Sequence, residues 1–273
     1  MRIRIVDAFS ERPFTGNPAG VVLLDSGAFP DTAWLQQVAT EVNLSETAFA
    51  HPLPAGGDAD WALRWLTPAA EVNMCGHATL ATAHVLHTTG TASGTVRFRT
   101  RSGVLTTTAD AGGAITMDFP TAPLTPVEVP PVVADALGTE IRSAHDTGPD
   151  VGDLLVELAD EKSVRELSPD LGALAGHGGR GVIATARADR PEGGYDFVSR
   201  CFFPAVGIDE DPVTGSAHTA LAPFWSARLS RAALVGLQGA ARTGFVRTEL
   251  RGDRTLLTGS AVTVIDGELL VTG

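Results

Sequence analysis

The chain has 273 residues, 44% of them hydrophobic and 19% charged, with 20 basic against 32 acidic side chains for a net charge of −12. That composition describes a folded globule rather than a disordered chain, and the acidic balance, without any basic run, argues against a nucleic-acid surface. Two cysteines, Cys75 and Cys201, are too few for a disulfide framework and fit a reducing cytoplasm, and the single lysine, Lys162, lies in the charged stretch ADEKSVRE, which argues against pyridoxal-phosphate or Schiff-base chemistry.

The start, MRIRIVDAF, alternates as a strand does and lacks the apolar core of a signal peptide. No apolar run approaches membrane-spanning length, so a cytoplasmic protein with no membrane partner is expected. Residues 3–9 and 20–24 read as strands around the loop SERPFTGNPA. Residues 31–42 read as a helix capped by Asp31, with Trp34, Leu35, Val38 and Val42 on one face. NLSETAFAH and DWALRWLTP follow as strands, then a helix at 77–88 that ends before Gly90. TVRFRT and GVLTTTA form a hairpin, and AITMDFP a further strand. The proline-rich stretch FPTAPLTPVEVPPVVADAL reads as a linker into a helix. Strands are expected at 153–159, 181–187 and 195–203, a helix from about 216, and strands from there to the end.

The two halves echo each other. Arg64-Trp-Leu-Thr-Pro68-Ala69 resembles Arg200-Cys-Phe-Phe-Pro204-Ala205. Each is followed by a loop with an acid and then a glycine opening an Ala/Thr/Leu helix, CGHATLATA at 75–83 and TGSAHTALA at 214–222. A pseudo-twofold pair of domains is expected, at 1–120 and 121–261, with the C-terminal strand at about 262–273 completing the first. The helix openings at Gly76 and Gly215 would then face one cleft. Unpaired N–H groups there hold a carboxylate well, and the glycines let the backbone come close. The acids at 209–211 are therefore not read as anion ligands; Asp211 suits a neutral or cationic part of the same molecule.

Several side chains carry candidate chemistry. Glu46, in LSETAF, shares a strand face with Leu44 and Ala48, where a carboxyl would take up and release protons; the plainer reading is an exposed acid on a strand edge. His77 at the helix start is either a ligand donor or proton relay, or a capping or core histidine. Ser216 is its counterpart, able to cap the helix or bind an anion, and His218 reads as structural. A thiol pair of the kind used by two-base racemases is missing, because the repeat sets Thr214 opposite Cys75, and in a register shifted by two, Pro212. Cys75 is read as a small buried residue, and Cys201 as a strand residue aligned with Trp65. GHGGRG at 176–181 matches a dinucleotide fingerprint in letters, but a strand follows it where a helix belongs, so it is read as a flexible loop. His77, His84 and His87 share a helical side without the spacing of a metal site, and Ser216 lacks a nucleophile elbow.

With these residues assembled, the chain resembles the PhzF family of phenazine biosynthesis, which shares its fold with diaminopimelate epimerase and proline racemase. The matching stretches are IVDAFSERPFTGNPAGVVL at 5–23, NLSETAF at 43–49, MCGHATLATAHVL at 74–86 and DPVTGSAHTALAPFW at 211–225. The resemblance implies an α+β fold of two similar halves, each a mostly antiparallel barrel-like sheet around a central helix. It implies a homodimer that needs no metal or organic cofactor. By motif match, Glu46 is the glutamate that moves a proton from C3 to C1 of trans-2,3-dihydro-3-hydroxyanthranilate, giving a ketone after tautomerisation. His77, Asp211 and Ser216, with Gly76 and Gly215 at the helix openings, match the substrate-binding positions. A one-base epimerase of an amino or hydroxy acid and a non-catalytic binding protein for a small ligand are the alternatives.

Overall fold

The alternating N-terminal stretch forms strand β1 (Arg2–Ala8), paired antiparallel with β2 (Asn17–Leu23) from Ile3↔Val22 to Ala8↔Asn17. The second strand thus starts three residues earlier than its apolar run suggests. Gly16, at φ 68°, turns the chain so tightly against β1 that a Cβ there would collide with the Ala8 carbonyl, and the ladder then takes in Asn17 and Pro18. The computed structural model describes residues 1–25 and 27–271.

Helix α1 (Thr32–Val42) is capped as expected, with Asp31 accepting from the Ala33 N–H at 3.1 Å. Leu35, Val38 and Ala39 are buried, and Trp34 and Val42 pack at the margin of the same cluster. Asn43, left-handed at φ 52°, closes the helix by donating its N–H to the Ala39 carbonyl. Strand β3 (Glu46–Pro52) therefore opens at Glu46, and Leu44, expected to share its face, lies outside the strand. There follow β4 (Trp61–Leu66), the short β5 (Glu71–Val72), helix α2 (Gly76–Thr88), the hairpin β6 (Thr95–Thr100) and β7 (Gly103–Ala109), and β8 (Ile115–Pro120). Nine residues of α2 are buried, His77 through Ala83 with Val85 and Leu86, which makes it a central helix rather than a surface one.

The proline-rich stretch is not all linker. It contains β9 (Thr125–Val127), paired with β10 (Ile141–Asp146), and then helix α3 (Pro131–Leu137), which has proline in its first turn and Gly138 as a left-handed cap. Next come β11 (Asp153–Leu158), the short helices α4 (Glu161–Arg165) and α5 (Leu171–Ala175), β12 (Gly181–Arg187), β13 (Phe197–Phe203), β14 (Ile208–Asp211), the long helix α6 (Gly215–Leu229), β15 (Ala233–Gln238), β16 (Gly244–Arg251) and β17 (Arg254–Gly259). Strand β18 (Ala261–Glu268) returns to pair antiparallel with β1. Residues 272–273 of the expected closing strand lie outside the described residues. Among the described residues no helix is long and apolar enough to cross a membrane.

By internal contacts the chain divides into residues 1–118 with 258–273, and residues 119–257. Within each unit the pairing runs in the same sequence. β1–β2 is antiparallel, β2–β3 parallel, β3–β4 and β4–β5 antiparallel, β4–β6 parallel and β6–β7 antiparallel. β10–β11, β11–β12, β12–β13, β13–β14, β13–β15 and β15–β16 repeat those senses in order. The arginines of the sequence repeat have matching tasks. Arg64 makes a two-pronged ion pair with Glu71 (2.8 and 2.6 Å), and Arg200 makes one with Glu210 (2.8 and 2.7 Å). Each pair ties a long strand to the short one after it. Around α6, Phe197 stacks on Trp225 with ring centroids 5.9 Å apart, and the indole N–H donates to Thr185 Oγ1 at 2.9 Å.

Candidate active site

In the first unit, three chain segments bring polar groups into an otherwise buried place. Glu46 is the first residue of β3 and is 8% exposed. Gly76 and His77 open α2, with Cys75 as its N-cap residue in extended conformation. Asn17 opens β2, and Ser45 immediately precedes Glu46. His77 Nε2 lies 3.2 Å from Glu46 Oε2 and 3.4 Å from Ser45 Oγ. Its Nδ1 lies 3.2 Å from Asn17 Nδ2 and 3.5 Å from Cys75 Sγ. Burial pushes the imidazole pKa down to about 3, since a charged ring loses its hydration there. Glu46 is thus a buried acid in contact with His77, not an exposed one on a strand edge. Cys75 is buried as expected, but it packs against His77 rather than lying apart from the polar groups.

Donor atoms of Glu46, Cys75 and His77 lie within 4.8 Å of one another. Carboxylate, thiolate and imidazole are all zinc ligands, so among the described residues this trio, and not the His77, His84 and His87 set considered from helical spacing, has metal-ligand geometry. His84 Nε2 is instead 3.1 Å from Thr263 Oγ1.

In the second unit, α6 opens at Gly215 and Ser216 behind the N-cap residue Thr214. A closed network fixes that opening. Thr214 N–H donates to Gln238 Oε1 (2.9 Å), and Gln238 Nε2 donates to the Asp211 carbonyl (2.9 Å) and to Thr214 Oγ1 (3.0 Å). Thr214 Oγ1 donates to Asp211 Oδ2 at 2.5 Å. Ser216 Oγ accepts from Arg180 Nη2 at 3.1 Å. Arg180 is gripped by Asp153 through two bonds of 2.8 and 2.6 Å and stands 4.7 Å over the Phe203 ring. Burial raises the Asp153 carboxyl pKa, although Arg180 works against it. His218 is structural, as expected. Its Nδ1 donates to the Thr214 carbonyl at 2.9 Å, and burial lowers its pKa to about 4. Cys201 is enclosed in β13, where burial holds it as a thiol.

The expected site residues therefore fall into two sets. Glu46, Gly76 and His77 gather in the first unit, and Asp211, Gly215 and Ser216 in the second. Sequence reasoning missed Ser45, Gln238, Asp153 and Arg180, and left the role of Asn17 open. GHGGRG was the one signal for Arg180. Its glycines drew attention to a loop, but the arginine they carry is pinned by Asp153, so that end of the motif is anchored rather than flexible.

The family model described as phenazine biosynthesis-like protein, PhzC-PhzF, matches residues 6–267. An uncharacterized isomerase of Pseudomonas aeruginosa is 48% identical over 265 residues, covering 97% of this chain and 96% of its own. The crystal structure of a PhzF-family protein from Enterococcus faecalis superposes with a TM-score of 0.90 at 40% identity, covering 99% of each chain. At 12% identity, a probable proline racemase from Agrobacterium radiobacter shares the fold, with a TM-score of 0.62 over 99% of this chain and 93% of its own. The chain belongs to the phenazine biosynthesis-like PhzC-PhzF family, a family of isomerase type.

Proposed function

We propose that this enzyme is a cofactor-independent isomerase that shifts a proton within a small unsaturated carboxylic acid of the trans-2,3-dihydro-3-hydroxyanthranilate kind. Glu46 is the single acid/base. It takes a proton from the carbon bearing the hydroxyl and returns it, on the same face, at the carbon bearing the carboxylate; the product tautomerises to a ketone. His77, Asp211 and Ser216 bind and orient the substrate, with backbone N–H groups at Gly76 and Gly215 holding its carboxylate. The active form is a cytoplasmic homodimer.

The observation that carries this reading is the buried pair of Glu46 Oε2 and His77 Nε2 at 3.2 Å. A carboxyl enclosed there has little water to exchange with, so a proton it accepts is kept for return to the substrate. One face is served by one carboxyl, which suits a proton shift better than racemisation. The position in β12 that matches Glu46 is Gly181, and the one that matches Cys75 is Thr214, so neither supplies a second base.

The experiment is proton NMR in D₂O with dihydro-hydroxyanthranilate and a panel of unsaturated and amino carboxylic acids, comparing the enzyme with Glu46→Gln. Isomer formation by the unaltered enzyme alone, with deuterium at the receiving carbon, supports the proposal. Solvent exchange with loss of optical activity but no absorbance change would replace it with a one-base epimerase.

A further inference from the structure

Three segments of the second unit meet around the Arg180 side chain. Arg180 immediately precedes β12, Asp153 opens β11, and Ser216 is the second residue of α6. Asp153 pairs with Gly181 in the parallel ladder, and the Arg180 N–H donates to the Gly152 carbonyl at 2.9 Å, so the backbone sets the acid beside the arginine. The Asp153 side chain is fully enclosed, and the centre of the Phe203 ring lies 4.7 Å from the guanidinium carbon. The guanidinium is thus held along one edge and over one face.

Its N–H donors lie in one plane, so each can be placed. Nε–H and one Nη2–H form the side of the fork and go to the two Asp153 oxygens, at 2.8 and 2.6 Å. The other Nη2–H lies at the end of the fork and goes to Ser216 Oγ at 3.1 Å. Beside it, on the same end, is an Nη1–H that none of the described residues accepts. A guanidinium has no lone pair to offer, so Ser216 Oγ must be the acceptor of their bond, and its own proton points elsewhere. Among the described residues that proton meets no acceptor either. Ser216 is half-buried and the Arg180 side chain is 38% exposed, so both donors are open to a solute. A serine hydroxyl ordinarily donates or accepts; this one is left to donate.

We infer that Arg180, locked by Asp153, is a specificity-determining residue: it fixes Ser216 as a donor and sets an Nη1–H beside it, so the substrate group received there is a carboxylate. This rests on the proposed role of Ser216 in holding the substrate. Two donors side by side match the two oxygens of a carboxylate. A carboxamide would set its NH₂ against one of them, and an ammonium would meet only O–H and N–H.

The test is calorimetric titration with 2-aminobenzoate and 2-aminobenzamide, a carboxylate and its amide on the same ring. The unaltered protein is expected to bind the carboxylate at least about tenfold more tightly than the amide. Ser216→Ala and the double variant Asp153→Asn/Arg180→Gln are each expected to weaken the carboxylate about 10–100-fold and the amide less than about threefold. A protein merely loosened by the substitutions would lose both ligands alike. The double variant leaves no carboxylate enclosed without its cation, so it is expected to fold. If it does not, Arg180→Lys decides, because an ammonium keeps the charge but not the planar fork: loss of the preference for the carboxylate supports the inference and its retention overturns it. A preference that survives the double variant overturns the inference, as does equal binding of the two ligands by the unaltered protein. If Ser216→Ala weakens the carboxylate and the double variant does not, the role of Arg180 falls and that of Ser216 stands. If the carboxylate does not bind, or binds without regard to Ser216→Ala, the proposed role of Ser216 falls as well.

Discussion

The two units place different chemistry on one frame. Strand pairing sets Phe49 against Arg64 and Ala184 against Arg200, so Glu46 and Gly181 hold equivalent places at the head of β3 and β12. The same count matches Ser45 with Arg180, and the helix openings match Cys75 with Thr214 and His77 with Ser216. The first unit keeps a carboxyl against a neutral imidazole. The second has no side chain at that place, and the Phe203 ring fills the space a Cβ of residue 181 would need. Ser45 supports His77 with a hydroxyl, whereas Arg180 supports Ser216 with a guanidinium whose charge is met by Asp153. Repetition of a fold therefore need not repeat its chemistry. One half holds a buried carboxyl beside a neutral imidazole, the other a hydroxyl beside a fixed charge.

The sharpest way to break this comparison is to alter the matched pair at the strand heads. Glu46→Gln is expected to lose at least on the order of 10²–10⁴ in turnover while unfolding within a few degrees of the unaltered protein. Gly181→Ala is expected to do the reverse, costing about 3 kcal/mol because its methyl meets the Phe203 ring and the Phe202 carbonyl. Thermal unfolding read beside turnover checks both, and a stable Gly181→Ala protein would show that the frames are not matched as described.

Arg180→Gln tests the fixed charge. It leaves the fully buried Asp153 carboxylate without its cation, which is expected to cost about 3–5 kcal/mol at neutral pH. A carboxyl whose folded pKa is raised favours the native state below its unfolded pKa and loses that contribution as pH rises through the folded value. Urea unfolding of Arg180→Gln should therefore show partial recovery of stability on acidification, relative to the unaltered protein.

Each unit also encloses one histidine at the opening of its central helix. His77 and His218 have pKa values lowered by burial to about 3 and about 4. Between those values and the ordinary 6.5 the unfolded chain binds protons that the native rings refuse, so stability falls as pH falls through the window. The limiting slope is ~1.4 kcal/mol per pH unit for each ring. Denaturant midpoints measured from pH 7 to pH 4 should show it, and His218→Gln should remove the second unit's share. The smallest effect is expected from Cys75→Ala, with activity changed less than about tenfold because the thiol makes only long contacts, 3.5 and 4.0 Å, with the two His77 ring nitrogens; a larger loss would assign the thiol a direct part.

Much of this was legible in the sequence, and the rest was hidden for identifiable reasons. The Asp31 cap, the helix at 77–88 and the repeat of Arg64 and Arg200 are local signals, and local physics shaped them. Glu46 was found as an acid among apolar neighbours, although its supposed face partner Leu44 is outside the strand because Asn43 takes a left-handed turn. Asn17 read as loop, since β2 begins with polar and proline residues that only pairing with β1 makes strand-like. Strand β10 and the five-residue helices α4 and α5 are too short or too polar to show a period. Arg180 lies 36 residues from Ser216, and no local pattern announces a contact at that distance.

Strand β18 brings a further consequence. Ile3 pairs with Gly267, and the Leu269 N–H donates to the Met1 carbonyl at 2.7 Å. The ribosome must therefore make all of residues 119–257 before the second partner of the first strand, on the edge away from β2, exists. The second unit emerges complete and is free to fold while the outer edge of β1 still waits. That waiting edge, with its unpaired N–H and C=O groups, is the stretch of the nascent chain most open to pairing with a neighbour. For the same reason, a circular permutant that joins the two ends and opens the exposed turn at 110–113 would place β18 and β1 side by side from the outset, and its first unit should assemble faster.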